Sequence, residues 1–377
     1  MEENGNARLA SLDALRGFDM VFIMGGYELI VTIAALCGYP DFGRVFNHAP
    51  WNGLQFMDTV FPLFLFLAGV SFPFSCAKSR SRGMSNLAIV RRCLRRFLIL
   101  ALLGCLGPLL TLKFGTMRFW SVLGRIGFAW ASAALLYLYF RRLTRIAIAV
   151  LLLVGTLVCT VLLIAPDAAT VAYPPVLKDL EALGRGPFTP AGNIGCWLDR
   201  TLAAGHNYRP LFDPEGFAGI VPSIVTAMLG MFAGEIVRNG RSGGYQTVML
   251  LLCAIGCGAV GWALSDFCPI NKALWSPSFV LVVGGYSFFM LALFHWLVDV
   301  KGLVRWTFFF RVIGMNSITI YMAQRIIGFH HMRDYFFGGL ASVVPASVGL
   351  IVSSIGYVAV CWLFLYILYR KHVFLKI

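Results

Sequence analysis

Residues 54–76 read LQFMDTVFPLFLFLAGVSFPFSC, an almost unbroken apolar run whose one ionisable side chain, Asp58, stands near its start. Wound as a helix at about 1.5 Å per residue, such a run crosses the roughly 30 Å core of a bilayer. Nine more apolar runs bounded by charges or Gly/Pro clusters fall at 17–37, 94–112, 118–140, 146–165, 217–237, 246–266, 274–297, 309–329 and 345–369. Composition agrees: 59% of the 377 residues are hydrophobic and 13% charged, against about 25% charged in a typical soluble domain. The mean hydropathy is +0.79. The reading is an all-α polytopic membrane bundle of about ten transmembrane helices. It forms one transmembrane domain over 1–377, with the 166–216 loop packed over the bundle.

An even number of spans puts both termini on one side, and basic residues say which. With the N-terminus cytoplasmic, the inside segments hold 20 Lys and Arg and the outside segments nine, or five without the long loop. The net charge of +14 is therefore mainly a topology signal, and no nucleic-acid partner is expected. The cluster Arg91, Arg92, Arg95 and Arg96 fits that bias and also suits an anionic ligand such as a nucleotide or lipid headgroup. The charged first 16 residues are not a secretory signal peptide. The ten cysteines lie scattered in apolar runs and read as small buried hydrophobes. Cys196 and Cys268, both in outside segments, are the pair able to bridge. No His pair shows metal-ligand spacing, so no metal is expected. No P-loop, Rossmann fingerprint or GxSxG occurs.

Ionisable residues in a bilayer are costly and mark candidate sites. Asp58 and Arg125 share the outer third and read as an ion pair or as substrate ligands. Asp19 and Glu235 lie near the inner face, where they can snorkel, and Glu28 stands near mid-membrane. Above Asp58, the segment Asn47-His48-Ala49-Pro50-Trp51-Asn52-Gly53 forms a short polar lip. A histidine there suits proton transfer, its unperturbed pKa being about 6.5. Asp213, Glu215, Asn271, Lys272, Gln324 and Arg325 end spans on the same outer face, as helix caps or as site residues. Trp51, Trp197 and Tyr208 suit either sugar stacking or an interfacial aromatic belt. Asn316 and Ser317 fall inside the ninth span, as interhelical hydrogen-bonding groups, and Gly230 and Gly234 make a close-packing GxxxG in the sixth.

Several motifs carry a resemblance. Leu12-Asp13-Ala14-Leu15-Arg16-Gly17, Asn47-His48-Ala49-Pro50-Trp51-Asn52-Gly53-Leu54 and Asp58-Thr59-Val60-Phe61-Pro62 resemble the heparan-alpha-glucosaminide N-acetyltransferase family. So do Asp213-Pro214-Glu215-Gly216, Asn271-Lys272-Ala273-Leu274-Trp275-Ser276 and Gly314-Met315-Asn316-Ser317-Ile318, in order over about residues 10–330. The resemblance implies a membrane enzyme that carries an acetyl group from cytosolic acetyl-CoA to the amine of a glucosamine-type sugar on the far side. It places the active-site histidine at His48, and an Asn linked to catalysis in the family falls on Met24 here.

On that reading His48 is the general base, while Asn47, Trp51, Asn52, Asp58, Arg125, Asp213, Glu215, Asn271 and Lys272 support it or bind the acceptor. Arg311, Arg92, Arg96, Asn316 and Ser317 are the candidates for acetyl-CoA. The expected partners are membrane lipids, the amino-sugar or glycan acceptor, acetyl-CoA and a second copy in a homodimer. The expected location is a bacterial inner membrane with the His48 lip facing the periplasm. An acetyl-His intermediate is the other chemical route. A transporter for amino sugars or glycan fragments, or an O-acetyltransferase of a surface glycan, would use the same vestibule.

Overall fold

The computed structural model describes residues 9–106, 118 and 120–375. Helix dominates this chain, and two isolated bridges, Ile164 with Asn193 and Arg209 with Phe212, knit the long loop. The helices are α1 (Ala10–Leu36), α2 (Phe56–Ser81), α3 (Asn86–Gly104), α4 (Val122–Tyr139), α5 (Arg142–Leu162), α6 (Phe217–Arg238), α7 (Gly243–Leu264), α8 (Pro277–Val300), α9 (Phe308–Gly314), α10 (Ser317–Ile326), α11 (Phe329–Val343) and α12 (Ala346–Arg370). Among the described residues eight are long and apolar enough to cross a membrane: α1, α2, α4, α5, α6, α7, α8 and α12. The chain is an integral membrane protein. α3 is helical over the basic start of the expected third span, while residues 107–112 of that span, and Lys113, lie outside the described residues.

Small polar residues start the helices. Ser121, Ser242 and Ser276 each accept a first-turn N–H, as an N-cap does where backbone donors have no helical partner. Interhelical packing follows from small residues, because in lipid it is close van der Waals contact rather than apolar burial that joins helices. The expected GxxxG lies on this seam: a Cβ on Gly230 would stand 2.0 Å from the Phe66 carbonyl oxygen, and one on Gly234 2.4 Å from that of Val70. Gly69, facing them from α2, has Ala227 O at 2.3 Å from its would-be Cβ. The seam locks α2, which carries Asp58, to α6, which follows Asp213 and Glu215.

Two spans are broken where the sequence reads as continuous. α1 bends at Phe22–Gly26, with Met24 at φ −81, ψ 16 and Gly25 at φ 95, a left-handed value glycine tolerates without a Cβ clash. Gln324 closes this kink, its Nε2 donating to the freed Ile23 carbonyl at 3.4 Å and to the Tyr357 hydroxyl at 3.0 Å. Met24 is fully buried there. The expected ninth span is two pieces, α9 and α10, parted at Met315 and Asn316. Asn316 is therefore a breakpoint residue, and its Nδ2 donates to Val373 O at 3.0 Å.

The depth expectations for the carboxylates change as well. Asp19 does not snorkel: it is 2% exposed, and its Oδ2 has no hydrogen-bond partner among the described residues. Glu235 pairs with buried Arg145 at 2.6 Å, and Glu28 is exposed beside the Tyr27 hydroxyl. Ala10 and Phe374 line one cavity, so the two ends of the described chain meet at one face of the bundle.

The glycine seam makes a sharp prediction. Gly230→Ala should lower stability by about 1–3 kcal/mol, as inserted atoms force tightly packed helices apart. Gly256→Ala, on α7 with nothing near its would-be Cβ, should be neutral or slightly stabilising. Thermal unfolding in detergent reads both, and equal effects would contradict the seam.

Candidate active site

The site begins where α2 begins. Asp58, in the first turn and 1% exposed, accepts the Gln55 backbone N–H on Oδ2 at 3.1 Å, half of a capping box. The same Oδ2 accepts the Ala49 N–H at 3.0 Å, and Oδ1 lies 2.7 Å from Nδ1 of His48. With Oδ2 taken by two backbone N–H groups, Oδ1 is left to face the imidazole and the ammonium of Lys272. The carboxylate fixes the His48 proton on Nδ1 and leaves Nε2 as the basic nitrogen. The His48 side chain is 56% exposed, so the ring is reachable from outside the bundle.

Lys272 approaches the pair from the 265–276 segment, with Nζ 3.4 Å from Asp58 Oδ1 and 3.1 Å from His48 Nδ1. An ammonium and an N–H cannot donate to one another, so its bond goes to Asp58 and the imidazole contact is a close approach. Burial lowers the Lys272 pKa from the usual lysine value, and the Asp58 carboxylate opposes that shift. The neighbouring Asn271 is fully buried: its Nδ2 donates to Asn52 Oδ1 at 3.0 Å, and its Oδ1 accepts the Leu274 N–H at 2.8 Å. The Gly53 N–H donates to Ile270 O at 2.7 Å. The lip of His48 and the segment of Lys272, more than 200 residues apart in sequence, are thus one rigid unit. Asn47, exposed, borders it.

A second cluster adjoins. Arg118 grips Asp213 with two hydrogen bonds, Nε to Oδ2 at 3.1 Å and Nη2 to Oδ1 at 2.6 Å, and reaches Glu215 Oε2 at 2.6 Å. These carboxylates raise the Arg118 pKa although burial works against them. Tyr208, exposed, lies under the same guanidinium, 4.9 Å from ring centre to Cζ, and its N–H donates to Asp213. Glu215 and Arg125 are near enough for Lys272 to feel their charges, so the two clusters share one site.

Four sequence expectations change here. Asp58 does not pair with Arg125. Arg125 donates Nη2 to Gly216 O at 2.8 Å and lies over Trp275, while its Nε and Nη1 have no hydrogen-bond partner among the described residues. The nearer imidazole and ammonium take Asp58. Trp51 does not offer a stacking face: its Nε1–H donates to Phe188 O at 2.7 Å, and its ring packs edge-on against Phe212 inside the loop core. Cys196 and Cys268 are both buried free thiols rather than a bridge. Arg96 is folded over the Trp130 ring at 4.1 Å, which occupies its cationic face, whereas Arg92 on the same helix is exposed. Arg118 was missed as a site residue. Its signal was indirect, since Asp213 and Glu215 two residues apart at a span end call for a cation that local sequence does not supply.

A scan against protein-family models finds no match to this chain. The chain is 30% identical to the heparan-alpha-glucosaminide N-acetyltransferase of Homo sapiens, over 98% of this chain and 60% of the relative. It is likewise 30% identical to the protein of that name from Mus musculus, over 88% of this chain and 56% of the relative. This is a family-level relationship. The chain spans less than two thirds of the length of these heparan-alpha-glucosaminide N-acetyltransferases.

Asp199 holds the loop against α6, accepting the Phe217 N–H at 2.8 Å and the Asp213 N–H at 3.1 Å. Burial pushes its carboxyl up to about 6, against about 3.9 in an unfolded chain. The folded state binds that proton more tightly, so the Asp199 contribution to stability is greatest below about pH 4, falls as pH rises through about 6, and is level above. Asp199→Asn should melt lower at every pH, by the equivalent of about 1–3 kcal/mol for a donor left without its acceptor, and its melting temperature should vary less between pH 4 and 6. An unchanged slope in thermal melts would contradict the assignment.

Proposed function

We propose that the protein is a transmembrane acetyltransferase that moves an acetyl group from cytosolic acetyl-CoA to the amine of an extracytoplasmic glucosamine-type sugar. The observation that carries this reading is the Asp58–His48 pair, an open imidazole whose tautomer a buried carboxylate fixes. The family-level relationship supports the acyl-transfer class.

Transfer needs an uncharged amine. His48 Nε2 accepts a proton from the sugar ammonium, the freed nitrogen lone pair attacks the thioester carbonyl, and the C–S bond breaks. The thiolate leaves and takes up a proton, so one acetyl group has moved and one proton is released to solvent. Asp58 stabilises the imidazolium as it forms, the role a carboxylate has behind any His base. Direct transfer needs one acyl step where an acetyl-His route needs two. Asn52, Glu215 and the Tyr208 hydroxyl are the polar groups that sugar hydroxyls would meet, the Tyr208 ring being taken by the Arg118 and Arg209 guanidinium groups.

The donor would enter from the arginine-rich face, opposite the lip. A small apolar cavity of about 40 Å³, lined by residues such as Met20, Phe61, Ile126 and Tyr321, lies within the bundle. The pantetheine arm is several times larger than this cavity, so bringing the thioester beneath His48 would require the lining helices to part. The 20 to 9 distribution of basic residues supports an inner-membrane setting with His48 outside.

His48→Ala should lower turnover of acetyl-CoA with glucosamine by about 10²–10⁴-fold while leaving acetyl-CoA binding intact. Asp58→Asn should fall in a similar range, since an amide can present its NH₂ to Nδ1 and favour the wrong tautomer. Acetyl transfer in proteoliposomes and calorimetric donor binding check the pair. Full activity in His48→Ala would overturn the base assignment, and sugar uptake without acetyl-CoA would favour a transporter.

A further inference from the structure

A cavity of about 310 Å³ at the face opposite His48 is bounded by the start of α1, by α9 and by the end of α12 with the tail that follows it. Its cations are Arg311 from α9 and Arg370 from the last turn of α12, and the His372 ring also lines it. Arg311 is half-buried, and no carboxylate lies within ion-pair distance of Arg311 or Arg370 among the described residues. Among the described residues Arg370 makes one polar bond, Nη1 to the Tyr366 hydroxyl at 3.2 Å. The acid in the wall, Asp13, is buried with Arg16 beside it at 3.7 Å. A half-buried guanidinium without a counter-charge is unfavourable unless an anion supplies it.

The roof is built rather than incidental. Asn316, 2% exposed at the break between α9 and α10, uses both ends of its amide on the tail: Nδ2 donates to Val373 O at 3.0 Å, and Oδ1 accepts the Leu375 N–H at 3.4 Å. That clamp turns the chain back over the cavity and brings Phe374 to its wall beside Tyr369. The turn is made at His372, φ 55, the left-handed residue of a Schellman cap in which the Val373 N–H donates to Leu368 O at 2.9 Å and the His372 N–H to Tyr369 O at 3.1 Å.

We infer that this cavity is a binding site for a phosphate-bearing ligand, with Arg311 and Arg370 holding the phosphate and the Tyr369 and Phe374 rings flanking what is attached to it. Guanidinium groups suit phosphate because their planar N–H pairs match its oxygens. Two sources carry this chemistry at a membrane face: the phosphates of coenzyme A, or an anionic phospholipid headgroup. Only the choice of coenzyme A rests on the acetyltransferase reading. The charge and shape of the cavity do not.

The test uses the full chain in a neutral detergent and in nanodiscs. Coenzyme A, dephospho-coenzyme A and inorganic pyrophosphate are titrated calorimetrically into the wild type, Arg311→Gln, Arg370→Gln and Arg311→Lys, and melting is compared in phosphatidylglycerol and phosphatidylcholine nanodiscs. Coenzyme A binding weakened about tenfold or more by each Gln variant, partly restored in Arg311→Lys and competed by pyrophosphate, supports the site with a soluble ligand. Stabilisation by phosphatidylglycerol that both Gln variants lose, without coenzyme A binding, supports the site with a lipid and sinks the donor reading. Coenzyme A bound equally by the wild type and both Gln variants, with no phosphatidylglycerol effect, overturns the site and leaves the donor reading standing. Absence of every response in a folded wild type overturns both.

Discussion

Everything at the candidate site hangs on one buried carboxylate. Asp58 sits at the start of a membrane helix, where backbone N–H groups are unpaired and negative charge is favoured. It takes the Gln55 and Ala49 N–H groups on one oxygen, and His48 and Lys272 on the other. The Gln55 contact is capping, which stabilises α2 whatever the protein does, and the Ala49 contact ties the lip to that helix start. The last two turn that cap into chemistry, since the orientation that satisfies the helix is the one that orients the imidazole. A side chain held by four groups has little freedom left to lose when substrate arrives.

The bundle delivers the partners to Asp58 through close helix contact. Gly69, Gly230 and Gly234 let α2 and α6 approach until backbone touches backbone, and α6 follows directly from the loop that carries Asp213 and Glu215. The loop is fixed in turn by Trp51 in its core and by Asp199 over the start of α6. A site on loops is thereby made stiff, with the Asn52–Asn271 and Gly53–Ile270 bonds stapling the two segments that matter most.

Much of this was legible in the sequence because the bilayer imposes its own ruler. A helix that must cross about 30 Å of hydrocarbon writes its length as an apolar run, and His48 lies only ten residues before Asp58. What was not legible depends on distant atoms. The break at Asn316 is sustained by Val373 and Leu375, nearly sixty residues on, and the kink at Met24 and Gly25 by Gln324, some three hundred on. Apolar periodicity carries no trace of either. Asp58 and Arg125 share a depth, which made them look like partners, but depth does not give azimuth around a bundle. Trp51 was ambiguous for the same reason: an aromatic at a membrane interface is equally at home facing a ligand or sealing a loop.

The most direct test of the account is the protonation pattern of His48 itself. In protein labelled with ¹⁵N-histidine, the His48 signals are assigned by their loss in His48→Gln, which separates them from the other five histidines. At a pH where the ring is neutral, a protonated Nδ1 and a bare Nε2 are predicted for the wild type, with the population of that tautomer reduced in Asp58→Asn. A wild-type ring protonated on Nε2 would leave no lone pair facing the substrate, and would contradict the role given to Asp58 and the base given to the reaction.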